Sequence, residues 1–591
     1  MWRFETDSVV QSGIEVQNWK TIEDDHSVRF ILDKATQKAE SERHSVLVVG
    51  RLRAYGADYE PDGSATMLLE LVEQLGTGPA LYKALAGFFV AFICNRQTGT
   101  INVINDHMGT VPLFWYRNNQ AKRFDLATSL IALKEVNHGE FVLSKQSIFN
   151  YMYFHCIPSP FTVYEDVFKL PPGVKLSVDK QLNSEVEDCY TPTYESGQMS
   201  NVELQSRCRE MVEQAVKRNI GAHNGAFLSG GLDSSTVAGY LSKYTDKAKS
   251  FSIGFEAKGF DETYFAQVTA KHFELEHKVH YLQPEEIASN FERVAGHFSE
   301  PFGNSSSLAA LVCAEFARLH GVQIMLAGDG GDEIFAGNER YAKQKVFDIY
   351  HNLPGFARNV LKGIFKHTFV GNLGPLNKGR SYIEQAETPL PERLDTYNFL
   401  KRFPLDEIFC HDFLLAIDPE LPAEQKRQRY SACENAQTTE KLLYLDWKFT
   451  LADNDLVKVT GMCDLADVEV RFPLLEKELV DFACKVPADI KLPGNKLRDF
   501  YKKSFSGFLS DETLNKSKHG FGLPFGLWMK DRSELRDMAE RHLNDLKGRK
   551  IFNKDFIDTA LKTYYSGHAS YYGELIWIMV VLEIWLKKHV D

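Results

Sequence analysis

The feature that most restricts what this 591-residue chain can fold into occurs twice: an apolar strand that runs directly into a glycine turn. In the first copy, Ala226-Phe227-Leu228 leads into Ser229-Gly230-Gly231-Leu232-Asp233-Ser234-Ser235 and a helix predicted over 234–243. In the second, Val322-Gln323-Ile324-Met325-Leu326 leads into Ala327-Gly328-Asp329-Gly330-Gly331-Asp332-Glu333. A helix predicted over 202–220, a strand over 250–255 and a helix over 262–273 continue the alternation. Strands alternating with helices pack as a parallel sheet covered on both faces, and open sheets of this kind bind ligands beyond the carboxyl ends of their strands. The first ~190 residues follow a different pattern, with short β-rich runs at 45–49, 87–93 and 100–104 and one helical stretch over 66–74. The sequence thus predicts an α+β domain over 1–195 and an α/β domain over 196–591, with a mainly helical segment at 343–450.

The first turn has the chemistry of a pyrophosphate site. Gly230 and Gly231 let the backbone approach an anion, and the helix start presents unpaired N–H groups with the positive end of its dipole. Ser234 and Ser235 add donors, whereas Asp233 would repel a phosphate unless Mg²⁺ stood between them. The loop lacks the GxxxxGK[ST] spacing of a Walker loop, and a bare glycine turn with an Asp or Ser N-cap would leave the same trace. The second turn carries three carboxylates in five residues. Asp332 with Asp233 would make a Mg²⁺ pair, and Asp329 could act as base or orienter. A solvated acidic turn is the alternative.

Eighty acidic against 68 basic side chains give a net charge of −12, which argues against a nucleic-acid or basic membrane-surface protein. Nine scattered cysteines without metal-ligand spacing predict reduced thiols and a cytoplasmic location. The charged start, Met1-Trp2-Arg3-Phe4-Glu5, does not suggest export. The late apolar run, Leu575 to Leu582, falls short of the about 20 residues that cross a membrane and predicts a buried helix.

Taken together, the motifs resemble the asparagine synthase superfamily. The matching segments, in order, are Phe251-Ser252-Ile253-Gly254-Phe255 with Phe260-Asp261-Glu262, and Glu300-Pro301-Phe302-Gly303-Asn304-Ser305-Ser306. They continue with Gly328 through Gly337 and Arg340-Tyr341, Val468 through Leu475, and Lys518-His519-Gly520-Phe521-Gly522-Leu523-Pro524. The resemblance implies a PP-loop (adenine nucleotide α-hydrolase-like) synthetase domain that uses ATP and Mg²⁺. It implies that Phe227, Ile253, Ala327 and Gly328 hold adenine and ribose, that Ser229, Gly230, Gly231, Asp233, Ser234 and Ser235 hold the phosphates, and that Asp233 and Asp332 hold the metal. Lys518 and Asp329 would be the catalytic side chains. The implied reaction activates a small-molecule or peptide carboxylate as its adenylate and passes it to ammonia or an amine, with no nucleic-acid or membrane partner. A homodimer would be compatible.

Leu85 through Phe92, Asp106 through Tyr116 and Lys169-Leu170-Pro171-Pro172-Gly173 resemble the class II glutamine amidotransferase domain, an Ntn-hydrolase-like β-sandwich. That domain uses an N-terminal cysteine whose own amino group is the base. Here Trp2 stands at that position, Gly50-Arg51-Leu52 replaces an NGE turn and Ser64-Ala65-Thr66-Met67 replaces SDTE. These losses predict an inactive glutaminase. In the synthetase domain, a K-V-D-R-A-S-M stretch reads Lys458-Val459-Thr460-Gly461-Met462-Cys463-Asp464. Loss of its acid–base pair weakens the expectation that the anionic substrate is aspartate. The sequence therefore predicts an AMP-forming amide synthetase that does not hydrolyse glutamine. A glutamine-hydrolysing asparagine synthetase is the alternative, and a non-catalytic scaffold the third reading.

Overall fold

The computed structural model of the chain describes residues 2–5, 15–21, 26–60, 62–139, 141–195, 197, 199–256, 260–351, 353–367, 382–383, 385–396, 398–517, 522–567 and 569–591. Its N-terminal part is a sandwich of two six-stranded sheets. One runs Trp2–Glu5, Glu15–Thr21, Ser27–Leu32, Arg123–Ala127, Phe114–Asn118 and Val167–Lys169 across its width. The other runs Ser184–Asp188, Val174–Val178, Ile101–Asn105, Leu85–Asn95, His44–Ala54 and Thr36–Glu40. Neighbours are antiparallel except Ser27–Leu32 beside Arg123–Ala127. Phe30 of one sheet meets Phe92 of the other edge-on at 5.2 Å, and the two inner faces share one core. Helix Ser64–Leu75 covers the outer face of the second sheet with Leu68 and Val72. Leu85–Asn95 is therefore buried on both sides, which is why it reads as a continuous apolar run instead of an alternating one.

The C-terminal part holds a five-stranded, wholly parallel sheet in the order Glu276–Leu282, Lys249–Phe255, Asn224–Phe227, Ile324–Leu326 and Glu469–Arg471. The chain enters at the central strand Asn224–Phe227, winds outward through two strands, then returns to the other side at Ile324–Leu326. The winding direction thus reverses between Asn224–Phe227 and Ile324–Leu326, and a crevice forms beyond the carboxyl ends of two such strands. Both glycine turns follow these two strands. The two outer strands were not visible in the sequence. Glu276–Leu282 reads Glu-His-Lys-Val-His-Tyr-Leu, an edge strand with little apolar signal, and Glu469–Arg471 has only three residues.

Helix Asn201–Asn219 opens this part with a reciprocal capping box between Ser200 and Glu203. Leu575 to Leu582 lies inside the buried stretch of helix Ala569–His589. Among the described residues no helix is long and apolar enough to cross a membrane.

The two parts are joined by buried polar contacts. Lys477 donates to the carbonyls of Tyr82 and Leu85 at 2.8 Å each, and Lys448 to that of Pro172 at 2.7 Å. Burial lowers both ammonium groups to about 8. His107 pairs with the Leu475 carbonyl at 2.9 Å, and burial, with Lys477 nearby, lowers its imidazole to about 3. Glu300 accepts from the Val163 N–H at 2.9 Å and pairs with Lys169.

Candidate active site

The crevice at the sheet's carboxyl edge opens into a cavity of about 950 Å³. Its floor is the two glycine turns, which fit only because they are glycine. A Cβ on Gly230, at φ +69°, would lie 2.4 Å from the Ala266 nitrogen. One on Gly328 would lie 2.6 Å from the Ser234 nitrogen, so the turns pack backbone to backbone. Gly231 caps helix Leu232–Tyr244 without a side-chain bond, which leaves the helix's first N–H groups to a ligand. Ser229 is tied inward: its Oγ and that of Ser234 lie 3.0 Å apart, and the Ser229 N–H donates to Ser234 Oγ at 3.2 Å.

Phe227, Ser229, Gly231, Asp233, Ser234, Ile253, Gly328, Asp329 and Asp332 all line the cavity. The other predicted nucleotide residues stand behind its wall. Ser235 is fully buried and bonded to Thr269 at 3.0 Å, Gly230 presses on the Ala266 backbone, and Ala327 is fully buried with its N–H on the Arg471 carbonyl. Lys518 lies outside the described residues, as do His519, Gly520 and Phe521.

Asp233 and Asp332 come together on the cavity. Gly331 and Gly337 make the room: a Cβ on either would fall 2.0 Å from Asp233 Oδ1 or 1.7 Å from Asp332 Oδ1. Between the carboxylates sits Arg498, unforeseen from the sequence, with Nη1 at 2.8 Å from Asp233 Oδ2 and 2.6 Å from Asp332 Oδ1, and Nη2 on Asp233 Oδ1. Two carboxylates in a cleft with room for phosphate suit Mg²⁺, which keeps its remaining positions for water and phosphate oxygens. Among the described residues no group of three or more His, Cys, Asp or Glu forms a complete protein cage for a metal.

A second charged group lines the same cavity. Residues Trp447–Asp455 form a π-helix that leads into helix Leu456–Leu465. Such turns recur at functional sites because they redirect side chains out of the helical register. Here the junction places Asp455 2.7 Å from Lys458, and the Asn304 amide donates to Asn454 at 2.6 Å. Burial raises Asp329 to about 6 against the pull of Lys458, and burial with Asp455 raises Glu333 to about 8. Asp455 and Asp329 hold Lys458 charged despite burial. Gly461 lies on the same helix, where a Cβ would meet the Phe298 ring at 2.7 Å. A side chain at 461 would therefore meet that ring first, and neither residue lines the cavity.

Lys516 is a further cation missed in the sequence, two residues before Lys518. It donates to the Ser229 carbonyl at 3.1 Å and pairs with Glu262 at 3.0 Å, at the edge of the first turn.

The strand bearing Gly50-Arg51-Leu52 has turned its polar groups toward the synthetase part. Arg51 donates to Asn219 Oδ1 at 2.9 Å and to the Arg218 carbonyl at 3.2 Å. Arg53 is buried between Glu476 and Glu478. Ser64, at the SDTE position, donates to the Leu52 carbonyl at 2.6 Å. Cys94 is buried in strand Leu85–Asn95, and burial pushes its thiol well up.

The asparagine synthase family model matches residues 207–587, and the glutamine amidotransferase domain model matches 48–190. The chain is 23% identical over 545 residues to asparagine synthetase [glutamine-hydrolyzing] 1 of Bacillus subtilis, covering 91% of this chain and 83% of that protein. It is 29% identical over 442 residues to a Methanocaldococcus jannaschii protein provisionally named asparagine synthetase [glutamine-hydrolyzing] 2, covering 71% and 80%. Among solved structures, the NH3-dependent NAD synthetase of Campylobacter jejuni matches at 12% identity and a TM-score of 0.19, covering 44% of this chain and 96% of that one. With a family model over residues 207–587 and both glycine turns on one cavity, the chain belongs to the asparagine synthase family of ATP-dependent amide-bond ligases.

Proposed function

We propose that this protein joins a substrate carboxylate to ammonia or a substrate amine through an acyl-adenylate and does so without hydrolysing glutamine. The observation that carries the reading is the meeting of Ser229, Gly231, Asp233, Ser234, Asp329 and Lys458 on one cavity. A carboxylate is a poor electrophile, so its oxygen first attacks the α-phosphorus of ATP, and the bond to pyrophosphate breaks. The N–H groups at the start of helix Leu232–Tyr244, which no side chain caps, receive the departing pyrophosphate. Bound at Asp233 and Asp332, Mg²⁺ would neutralise charge on those phosphates. Lys458, kept charged by Asp455, faces the carboxylate end and steers it. The nitrogen nucleophile then attacks the acyl carbon, the C–O bond to AMP breaks, and Asp329 takes the proton from nitrogen. Lys518 would add positive charge at the acyl centre.

Loss of glutamine hydrolysis is supported by the N-terminal strand. Its arginines are committed to Asn219, Glu476 and Glu478, and no cysteine occurs in residues 1–93. The names of the relatives favour a second reading, glutamine-dependent asparagine synthesis. Against aspartate stands the sequence alone, in which Thr460-Gly461 replaces the acid–base pair of the family's stretch.

Carboxylate-dependent ATP–pyrophosphate exchange over a panel of acids tests the first half-reaction. One acid is expected to drive exchange in the wild type and in Asp329→Asn, with amide formation about 10²–10⁴-fold slower in the variant. Absence of exchange with every acid contradicts the adenylation chemistry.

A further inference from the structure

Arg498 has a geometry that a purely structural ion pair does not require. It caps helix Asp499–Ser504 at φ +60°, a left-handed conformation that costs a non-glycine residue about 1 kcal/mol or more. Its guanidinium lies over the Tyr501 ring at 4.4 Å, and its Nε is buried without a hydrogen-bond partner. Every other donor contact it makes goes to Asp233 and Asp332, and the side chain forms part of the cavity wall. Two carboxylates this close repel strongly in a half-buried cleft, and a planar fork is the side-chain group best matched to hold both. The same carboxylate oxygens are what a divalent cation needs. The arginine engages Asp233 Oδ1 and Oδ2 and Asp332 Oδ1, and so competes with a metal for them.

We propose that Arg498 is a resident counter-cation, a positioning residue that holds Asp233 and Asp332 together before Mg²⁺ arrives and turns to the nucleotide's phosphates when the ion displaces it. The proposal rests on the reading of these two aspartates as metal ligands. Phosphate is the natural second partner, because it accepts the same two-pronged contact and the turn that would hold it lines the same cavity as Arg498. Metal and nucleotide then bind cooperatively: the ion frees the arginine, and the phosphates give it a new partner. Such coupling is reciprocal, and typical values span roughly 5- to 150-fold.

Mn²⁺ serves as the probe, its binding read by electron paramagnetic resonance with the full chain. In the wild type, α,β-methylene-ATP is expected to tighten Mn²⁺ binding at least about fivefold. In Arg498→Gln, Mn²⁺ alone is expected to bind about tenfold tighter than in the wild type, and the tightening by the nucleotide analogue is lost. Arg498→Lys, which keeps a charge and loses the fork, is expected to lie between them and serves if the glutamine variant does not fold. Equal or weaker Mn²⁺ binding in the variants, with the wild type binding normally, overturns the role of the arginine alone. No Mn²⁺ binding in any of the proteins overturns the metal assignment and the proposal with it.

Discussion

Two of the clusters in which one arginine meets two carboxylates, at Arg53 and at Arg498, differ in a way that separates a lock from a site. At the junction of the two parts, Arg53 lies between Glu476 and Glu478, with side-chain exposures of 1%, 1% and 10%. There the pairing outweighs burial, holding Glu478 down at about 2 and raising Arg53. At the sheet edge, Arg498 is as buried at 4%, yet its partners Asp233 and Asp332 are exposed at 19% and 18% on a cavity of about 950 Å³. The first cluster is held by further bonds to Tyr59, Asn219 and the backbone of Ala54, Gly56 and Ala57, beside a cavity of only about 240 Å³. The second is bounded by Gly331 and Gly337, whose missing Cβ atoms leave the carboxylates reachable. The same ionic chemistry therefore serves opposite ends, and the surrounding residues decide which.

This contrast can be broken at either end. Arg53→Ala removes the only cation paired within 3 Å to Glu476 and Glu478 among the described residues, leaves them the neutral donors Tyr59, Asn219 and Gly56, and is expected to cost about 3–5 kcal/mol of stability, measured by denaturant unfolding. Asp233→Asn is expected to leave stability within about 1 kcal/mol while slowing pyrophosphate exchange roughly 10²–10³-fold, or about 2.7–4 kcal/mol. A stability loss at Asp233 equal to that at Arg53 would erase the distinction. Gly461→Ala drives a methyl toward the Phe298 ring and is expected to cost about 1–3 kcal/mol. Pairing it with Phe298→Ala should return part of that loss, which a double-mutant cycle reads directly.

The most gradual expected effect, spread over several pH units, concerns His107. Its folded imidazole stays neutral down to about pH 3, whereas the unfolded chain takes up the proton near the ordinary 6.5. Its contribution is complete above pH 6.5 and is lost as the pH falls from there toward 3, at up to about 1.4 kcal/mol per pH unit. His107→Gln should flatten the acid side of the stability profile by that slope. An unchanged profile would place the acid sensitivity elsewhere.

Much of this was legible in the sequence wherever a local rule applied. The two strand–glycine turns announced the parallel sheet and its crevice, because a backbone packed as tightly as at Gly230 and Gly328 tolerates no side chain. Asp233 and Asp332 were legible because carboxylates beside a phosphate turn need a cation. Arg498 was not, since it arrives from 166 residues beyond Asp332 and its sequence neighbourhood, Asn495-Lys496-Leu497, looks like an ordinary polar turn. The Asp455–Lys458 pair has ordinary i,i+3 helical spacing, and what the sequence hid is that the helix carrying it lines the cavity. Arg53 reads in sequence as a polar residue on a strand, and only the docking of the two parts shows that it is buried. Residues inside one element were predictable, and those set by how elements meet were not.

The central claim is that the N-terminal sandwich has exchanged a glutamine pocket for an interface while the synthetase cavity remains open for chemistry. Glutamate release from glutamine by the full chain, with and without MgATP, tests it most directly. The account predicts no release above the uncatalysed background in either case, together with pyrophosphate formation when ammonium and a suitable carboxylate are supplied. Sustained glutamate release would contradict it.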